Sequence, residues 1–362
     1  MKNVAIVIDG LTGGGAERVM ISLAAELVSQ GHQVTILSLG NRCDYVIPEG
    51  INVCYLFAHK ASKVDRFWQL KASIAKLEAW FTEYQLQSSS FDLVLSNLDR
   101  SNNLLAKSNI NSVFYIVHNS VEEELQRQKK LGPFAYWYLL RSKKNLSGKS
   151  LISVSKGIEQ EICQGEVIYP KNIHTIYNPF DIEDIQQKSL IVDSNIPNDS
   201  YIIHVGRLAK QKRHDILFAA LAQVSKEVKL VLLCNKPDKA LKLAEKYGVA
   251  ERLILPGFQA NPYNWIKRAQ ALVLSSDYEG LPTVLLEALA VDTKVVSTIC
   301  PHGPDEILTG PLSDFLVPRR EPKALAEAIN KVLKTELNLS QVDILSKVSA
   351  RKITQQYLNL AK

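Results

Sequence analysis

Short aliphatic and β-branched runs alternate along the chain with longer stretches whose apolar residues recur at helical spacing. In the first half the runs are Val4–Ile8, Gln33–Leu39, Val53–Phe57, Leu93–Ser96, Val113–Val117 and Leu151–Val154. In the second they are Tyr201–Val205, Lys229–Cys234, Arg252–Leu255, Ala269–Leu274 and Lys294–Ser297. Helical segments stand between them, among them Ala16–Ser29 and Asp238–Tyr247. Strand alternating with helix in this way predicts an α/β protein with mostly parallel sheets. A polar stretch through residues 181–199, with Asn195, Pro197, Asn198 and Asp199, reads as a connection between two domains, 1–180 and 200–343.

The 362 residues suit two cores, and neither a solenoid-length repeat nor a low-complexity tract is present. The apolar run at the start stops at Asp9 with no small-residue cleavage site after it, so no signal peptide is expected, and no run approaches the ~20 residues that span a bilayer. Five scattered cysteines without C-x-x-C spacing fit free thiols in a reducing, cytoplasmic compartment and argue against structural zinc.

A net charge of +6 matters only if the basic residues cluster, and they do so in two segments. Residues 59–87 carry Lys60, Lys63, Arg66, Trp68, Lys71, Lys76 and Trp80; residues 126–149 carry Arg127, Lys129, Lys130, Phe134, Tyr136, Trp137, Tyr138, Arg141, Lys143 and Lys144. Two readings stand. Such segments suit peripheral contact with an anionic membrane or attraction of an anionic acceptor such as a lipid diphosphate; equally, they suit solvated helices with inward-packed aromatics. No nucleic-acid recognition motif accompanies the charges.

Four stretches carry candidate chemistry. Ser275–Leu289 reads SSDYEGLPTVLLEAL after a buried run, with Pro282 expected as the first helical residue. Unpaired N–H groups of Gly280, Leu281 and Thr283 at that helix start would cradle a phosphate, with Glu279 in the loop and Glu287 in the helix. Gly206-Arg207 and Lys212 follow the run Tyr201–Val205 and set two cations, one planar and one a point charge, in the loop at the strand's carboxyl end, where they could stabilise negative charge; solvent-facing charges on a turn are the alternative. Gly13-Gly14-Gly15 after Val4–Ile8 allows close backbone approach to a ligand; the alternative is a tight turn. Its spacing is not G-x-G-x-x-G, and Gln33–Leu39 ends without an acidic residue, which disfavours a nicotinamide site. His118 stands at the carboxyl end of Val113–Val117, where open α/β sheets bind ligands, although a lone histidine is more often a capping or hydrogen-bonded residue.

The E-x7-E of Glu279 and Glu287 after S-S-D-Y, the G-R-x4-K of Arg207 and Lys212, Gly303–Ile307 as G-x-x-E-I, and Gly14-Gly15 before A-E-R together resemble the retaining nucleotide-sugar glycosyltransferases of family 4, also called glycosyl transferases group 1. The resemblance implies the GT-B fold, two Rossmann-like domains facing across a cleft, with a C-terminal helix over residues 344–362 packing back on the first domain. It implies Glu279 and His118 beside the donor sugar, Glu287 on the ribose, and Arg207 and Lys212 on the diphosphate. It further implies Gly14 and Gly15 along that diphosphate, Gly257 and Phe258 near the base, and Gly280, Leu281, Pro282 and Thr283 as the phosphate cradle. No protein-bound metal or other cofactor is implied, so Asp181, Glu183 and Asp184 read as connection residues. The chain departs from the family pattern at Asn235-Lys236-Pro237, where relatives have a glycine-rich turn, and at Asp314, where they commonly have glycine.

The expected activity is transfer of a hexose or N-acetylhexosamine, most simply from a UDP-sugar, to a glycan or lipid-linked glycan during assembly of bacterial surface polysaccharide, lipopolysaccharide or oligosaccharide. Two further readings share the architecture. A sugar-nucleotide 2-epimerase would consume donor without acceptor, and a non-catalytic module would bind donor without turnover.

Overall fold

In the computed structural model, residues 1–12, 15–59, 64–339 and 342–361 are described. The chain divides into two compact units, Met1–Phe180 with Val348–Lys362, and Asp181–Lys347.

The first unit is built on seven strands: β1 (Asn3–Ile8), β2 (Gln33–Ser38), β3 (Ile51–Tyr55), β4 (Leu93–Asn97), β5 (Val113–Val117), β6 (Ser150–Ser153) and β7 (Asn172–Thr175). All neighbours pair in parallel, in the order β3-β2-β1-β4-β5-β6-β7. The interior strand β1 is buried at every position, as a strand covered by helices on both faces must be. The order reverses between β1 and β4, so the loops leaving these two strands open a crevice at their carboxyl ends.

The second unit repeats the plan with β8 (Tyr201–Val205), β9 (Lys229–Leu233), β10 (Leu253–Ile254), β11 (Ala271–Leu274), β12 (Lys294–Thr298) and β13 (Leu316–Val317). The parallel order is β10-β9-β8-β11-β12-β13, and the reversal falls between β8 and β11. Its core gathers Leu230, Leu232, Val273 and Val296 from the strands with Leu217, Leu221, Leu325 and Ile329 from flanking helices.

Three local expectations change. Residues 182–189, read as polar connection, form the helix Ile182–Ser189: the Asp181 side chain accepts the Asp184 N–H, and Ile185 is buried. Pro282 is the cap residue rather than the first helical one, with ψ at 94°. The expected C-terminal helix is two helices, Asp343–Lys347 and Ala350–Leu358, broken where Phe180 N–H donates to Val348 O and Ala350 N–H donates to Phe180 O. Buried Ile353 and Tyr357 anchor the second of these, which packs on the helix Gly15–Ser29. Among the described residues no helix is long and apolar enough to cross a membrane.

Candidate active site

The reversal in the second sheet explains why distant residues meet there. The loop after β8 carries Arg207 and Lys212, the loop after β11 carries Glu279, and the two strands are neighbours. Three hydrogen bonds join the loops: Ser275 Oγ donates to Lys212 O at 2.8 Å, Asp277 N–H to Gln211 O at 2.8 Å, and Gln211 Nε2 to Tyr278 O at 2.6 Å. Each contributes about 1 kcal/mol net. The arrangement sets the Lys212 ammonium 2.7 Å from Glu279 Oε1, with both side chains largely withdrawn from solvent.

Glu279 is also held by its own backbone. Its N–H donates to Pro301 O at 2.6 Å and its carbonyl accepts His302 N–H at 3.2 Å, both from the segment after β12. Gly303 then passes so close to the glutamate loop that a Cβ there would lie 2.7 Å from Gly280 O and 2.8 Å from Pro282 Cδ; its φ of +95° suits glycine as well. Among the described residues no acceptor takes the N–H groups of Gly280, Leu281 or Thr283. They stand at the start of the helix Thr283–Ala290, in which Glu287 is buried. Arg207 is exposed, and among the described residues its guanidinium has no ion-pair partner. Gly257, with φ +82°, and Phe258, largely exposed, follow β10. The Asn235 side chain that replaces a glycine-rich turn accepts Leu208 N–H at 3.0 Å and so braces the Arg207 loop.

Sequence reasoning missed the groups around Asp277. Its carboxylate accepts from Arg213 Nη1 at 3.1 and 3.2 Å and from Arg320 Nε and Nη2 at 3.0 Å each, while Arg319 Nη1 donates to its carbonyl at 2.6 Å. Arg213 bonds Asp215 as well, and these carboxylates raise its already high pKa. Two residues before Glu279, this cluster fixes the glutamate loop to the turn after β13. The only legible signal was a charged residue inside SSDYEG. Cys300 lies within electrostatic reach of Glu279, and burial first, then that carboxylate, pushes its thiol up, so it stays protonated.

Under the loops, His204 Nδ1 meets Val273 O at 2.8 Å, and its ring lies edge-on to His214 at 4.8 Å. Burial holds His204 well below the usual histidine range and His214 at about 4. Both are neutral floor residues.

In the first unit, His118 Nε2 lies 3.1 Å from Asn97 Oδ1. Asn97 Nδ2 donates to Leu95 O at 3.4 Å, which turns its amide oxygen toward the ring; Nε2 therefore carries the proton and Nδ1 offers a lone pair. Burial, and then the Lys143 ammonium, lower the His118 pKa to about 4. A neutral imidazole with a free acceptor nitrogen can receive a hydrogen bond from a hydroxyl. It does not protonate a leaving group at neutral pH. Lys143 itself is buried, 2.8 Å from both Asp99 Oδ1 and Glu124 Oε2. Asp9, at the end of β1, accepts from Ser101 N–H and Oγ at 2.8 Å each, and burial raises its pKa to about 6. Gly15 opens the first helix, and Gly14 lies outside the described residues.

Two doubly wound parallel sheets, with a lysine–glutamate pair and a bare helix start at the switch point of the second, are what the expected GT-B architecture calls for. The family described as Glycosyltransferase Family 4 matches residues 13–184, and that described as Glycosyl transferases group 1 matches residues 186–346. The chain belongs to this glycosyltransferase family. It is 28% identical over 324 residues to the N-acetylgalactosamine-N,N'-diacetylbacillosaminyl-diphospho-undecaprenol 4-alpha-N-acetylgalactosaminyltransferase of Campylobacter jejuni, covering 85% of this chain and 83% of that protein. It is 28% identical over 202 residues to the lipopolysaccharide 1,6-galactosyltransferase of Salmonella typhimurium, 54% of this chain and 55% of that one. Among solved structures, Anabaena HepE in complex with UDP and glucose superposes with a TM-score of 0.70 at 19% identity, over 99% of this chain and 97% of that one. The protein is a hexosyltransferase related to enzymes of lipopolysaccharide and glycan assembly.

Proposed function

We propose that this glycosyltransferase moves a hexose or N-acetylhexosamine, with retention, from a UDP-sugar to a hydroxyl of a glycan or lipid-linked glycan. Its place is the assembly of bacterial surface polysaccharide, lipopolysaccharide or oligosaccharide, in the cytoplasm at the inner face of the plasma membrane. The observation that carries the reading is the 2.7 Å pair of Lys212 and Glu279, which unites the G-R-x4-K and E-x7-E elements in one site.

In this reading Arg207, Lys212 and the N–H groups of Gly280, Leu281 and Thr283 receive the diphosphate, whose charge grows as the bond to the sugar C1 breaks. Lys212 neutralises Glu279 on one oxygen and leaves the other to orient sugar hydroxyls. Glu287 takes the ribose, Gly257 and Phe258 the base, and Gly14 and Gly15 the diphosphate from the first unit. The His118 Nδ1 lone pair accepts from a sugar hydroxyl. The acceptor oxygen bonds to C1 on the face the diphosphate leaves, and its proton passes to the departing phosphate oxygen. Both relatives named above act on or build glycans, which supports the acceptor class.

The test is nucleotide release from a panel of UDP- and GDP-sugars, with and without a lipid-glycan extract. Release from one UDP-sugar that depends on acceptor, with the sugar recovered on it, is expected. Release without acceptor yielding an epimer, or acceptor-dependent release from a GDP-sugar alone, contradicts the proposal.

A further inference from the structure

The two basic-aromatic segments divide into inward and outward parts. In the helix Leu70–Gln87 the rings pack inward: Trp80 lies edge-on to Phe81 at 5.1 Å, and Tyr84 stacks on Phe91 at 4.5 Å. Immediately before it, and on the helix Pro133–Lys144, they do not. Phe67 is 86% exposed, Trp68 67%, Phe134 90% and Trp137 64%, with Leu131 and Tyr138 also exposed. Phe134, Trp137, Tyr138 and Arg141 stand at i, i+3, i+4 and i+7, so they share one face, and all four are exposed. Leu139, Leu140, Ser142 and Lys143 occupy the buried side.

One hydrogen bond makes these exposed groups neighbours. The Tyr138 hydroxyl donates to Asp65 Oδ2, and Asp65 Oδ1 lies 3.8 Å from Arg100 Nε. Arg66-Phe67-Trp68 therefore emerges beside the aromatic face of the helix, with the Arg66 guanidinium 5.4 Å from the centre of the Trp68 ring. Arg141 and Lys144 are exposed on this helix, and Arg127, Lys129 and Lys130 are exposed at the end of the preceding helix, Val121–Lys129. Lys60 and Lys63 lie outside the described residues.

We infer that Arg66-Phe67-Trp68 and the exposed face of the helix Pro133–Lys144 form one docking surface for an anionic lipid bilayer. Water-soluble surfaces seldom leave a group of Trp, Phe and Leu uncovered. Trp and Phe flanked by Arg and Lys suit the headgroup boundary, where rings enter the acyl edge and cations meet anionic headgroups. Pairing with a second copy fits less well, because an isologous contact would bring Arg66, Lys130 and Arg141 toward their own counterparts. The surface deepens the proposed lipid-linked acceptor, resting on that reading only for its purpose: vesicle binding needs neither donor nor turnover.

The test is flotation of the full chain with vesicles of phosphatidylethanolamine and phosphatidylglycerol, and with phosphatidylcholine alone. Association with the anionic vesicles, weakening as salt is raised, is expected. The triple variant Trp68→Ser, Phe134→Ser, Trp137→Ser should weaken it by roughly tenfold per ring. The pair Arg66→Glu, Lys130→Glu should abolish it, with circular dichroism of both variants unchanged. Tryptophan emission should shift to shorter wavelength on binding, because Trp68 and Trp137 are exposed while Trp265 is buried and Trp80 sits in a ring cluster. No vesicle association, association that survives loss of the three rings, or a concentration-dependent dimer dissolved by the ring variant would each overturn the inference.

Discussion

Replacing Lys143 by methionine keeps the stem that fills its buried position and removes only the charge. In the native chain that ammonium touches Asp99 and Glu124 at 2.8 Å each and is the second cause, after burial, of the low His118 pKa. Loss of the cation leaves burial, the larger cause of the fall from 6.5 to about 4, in place and leaves Asp99, which raises the pKa, unopposed, so the pKa returns only part of the way, about one pH unit. Two carboxylates are also left without their common partner. Breaking a buried pair costs about 3–5 kcal/mol, but Asp99 is nearly half exposed and regains water, so the expected loss is about 3 kcal/mol. Histidines labelled at Cε1 give seven NMR resonances to follow. The His118 resonance should titrate at about 4 in the native protein and about one unit higher in the variant. The ring stays neutral at pH 7 in both, so turnover of the folded variant should fall relative to native as the pH approaches 5. A native His118 that titrates near its ordinary value, or one unmoved by Lys143→Met, would refute the electrostatic account of this residue.

Further predictions concern the second unit. Asp277→Ala removes the four bonds from Arg213 and Arg320; Arg213 keeps Asp215 and Arg320 is half exposed, so urea unfolding should show a loss of about 2 kcal/mol, and an unchanged midpoint contradicts the bracing role. Gly303→Ala meets backbone at 2.7 Å with φ +95°; about 1–3 kcal/mol of strain should lower both stability and kcat, and a native-like variant would show that the contact with Gly280 is not required. His214, held at about 4, contributes stability that is complete above its unfolded pKa near 6.5 and lost as pH falls through 6.5 toward 4. Between pH 7 and pH 5 this amounts to about 2 kcal/mol, so the pH-dependent drop in urea stability should shrink by that much in His214→Phe, and an equal drop in both proteins would place the histidine elsewhere electrostatically.

The alternation of apolar runs was enough to locate most strands, because parallel strands covered on both faces must be continuously apolar. β5 and β8 have the bounds their runs suggest. β7 escaped notice because Asn172–Thr175 is polar and only half buried, as an edge strand can be. The break in the C-terminal segment comes from Phe180, a tertiary hydrogen-bonding partner that lies far away in sequence. Within the site, spacing exposed Arg207, Lys212, Glu279 and Glu287. The Asp277 cluster did not show, since Arg213, Asp277 and Arg320 meet only through crossovers of a parallel sheet. Lys143 looked like one more surface cation of a basic helix, whereas its burial depends on carboxylates from two other helices.

The central claim is that Glu279, held by Lys212, acts on the sugar of a bound donor. Glu279→Gln keeps the size of the side chain and removes its charge, and the measurement is donor affinity by calorimetry beside steady-state turnover with acceptor. The account predicts a fall in kcat of about 10²–10³-fold with donor affinity changed by less than about threefold. Native turnover in Glu279→Gln, or loss of donor binding in step with turnover, would contradict it.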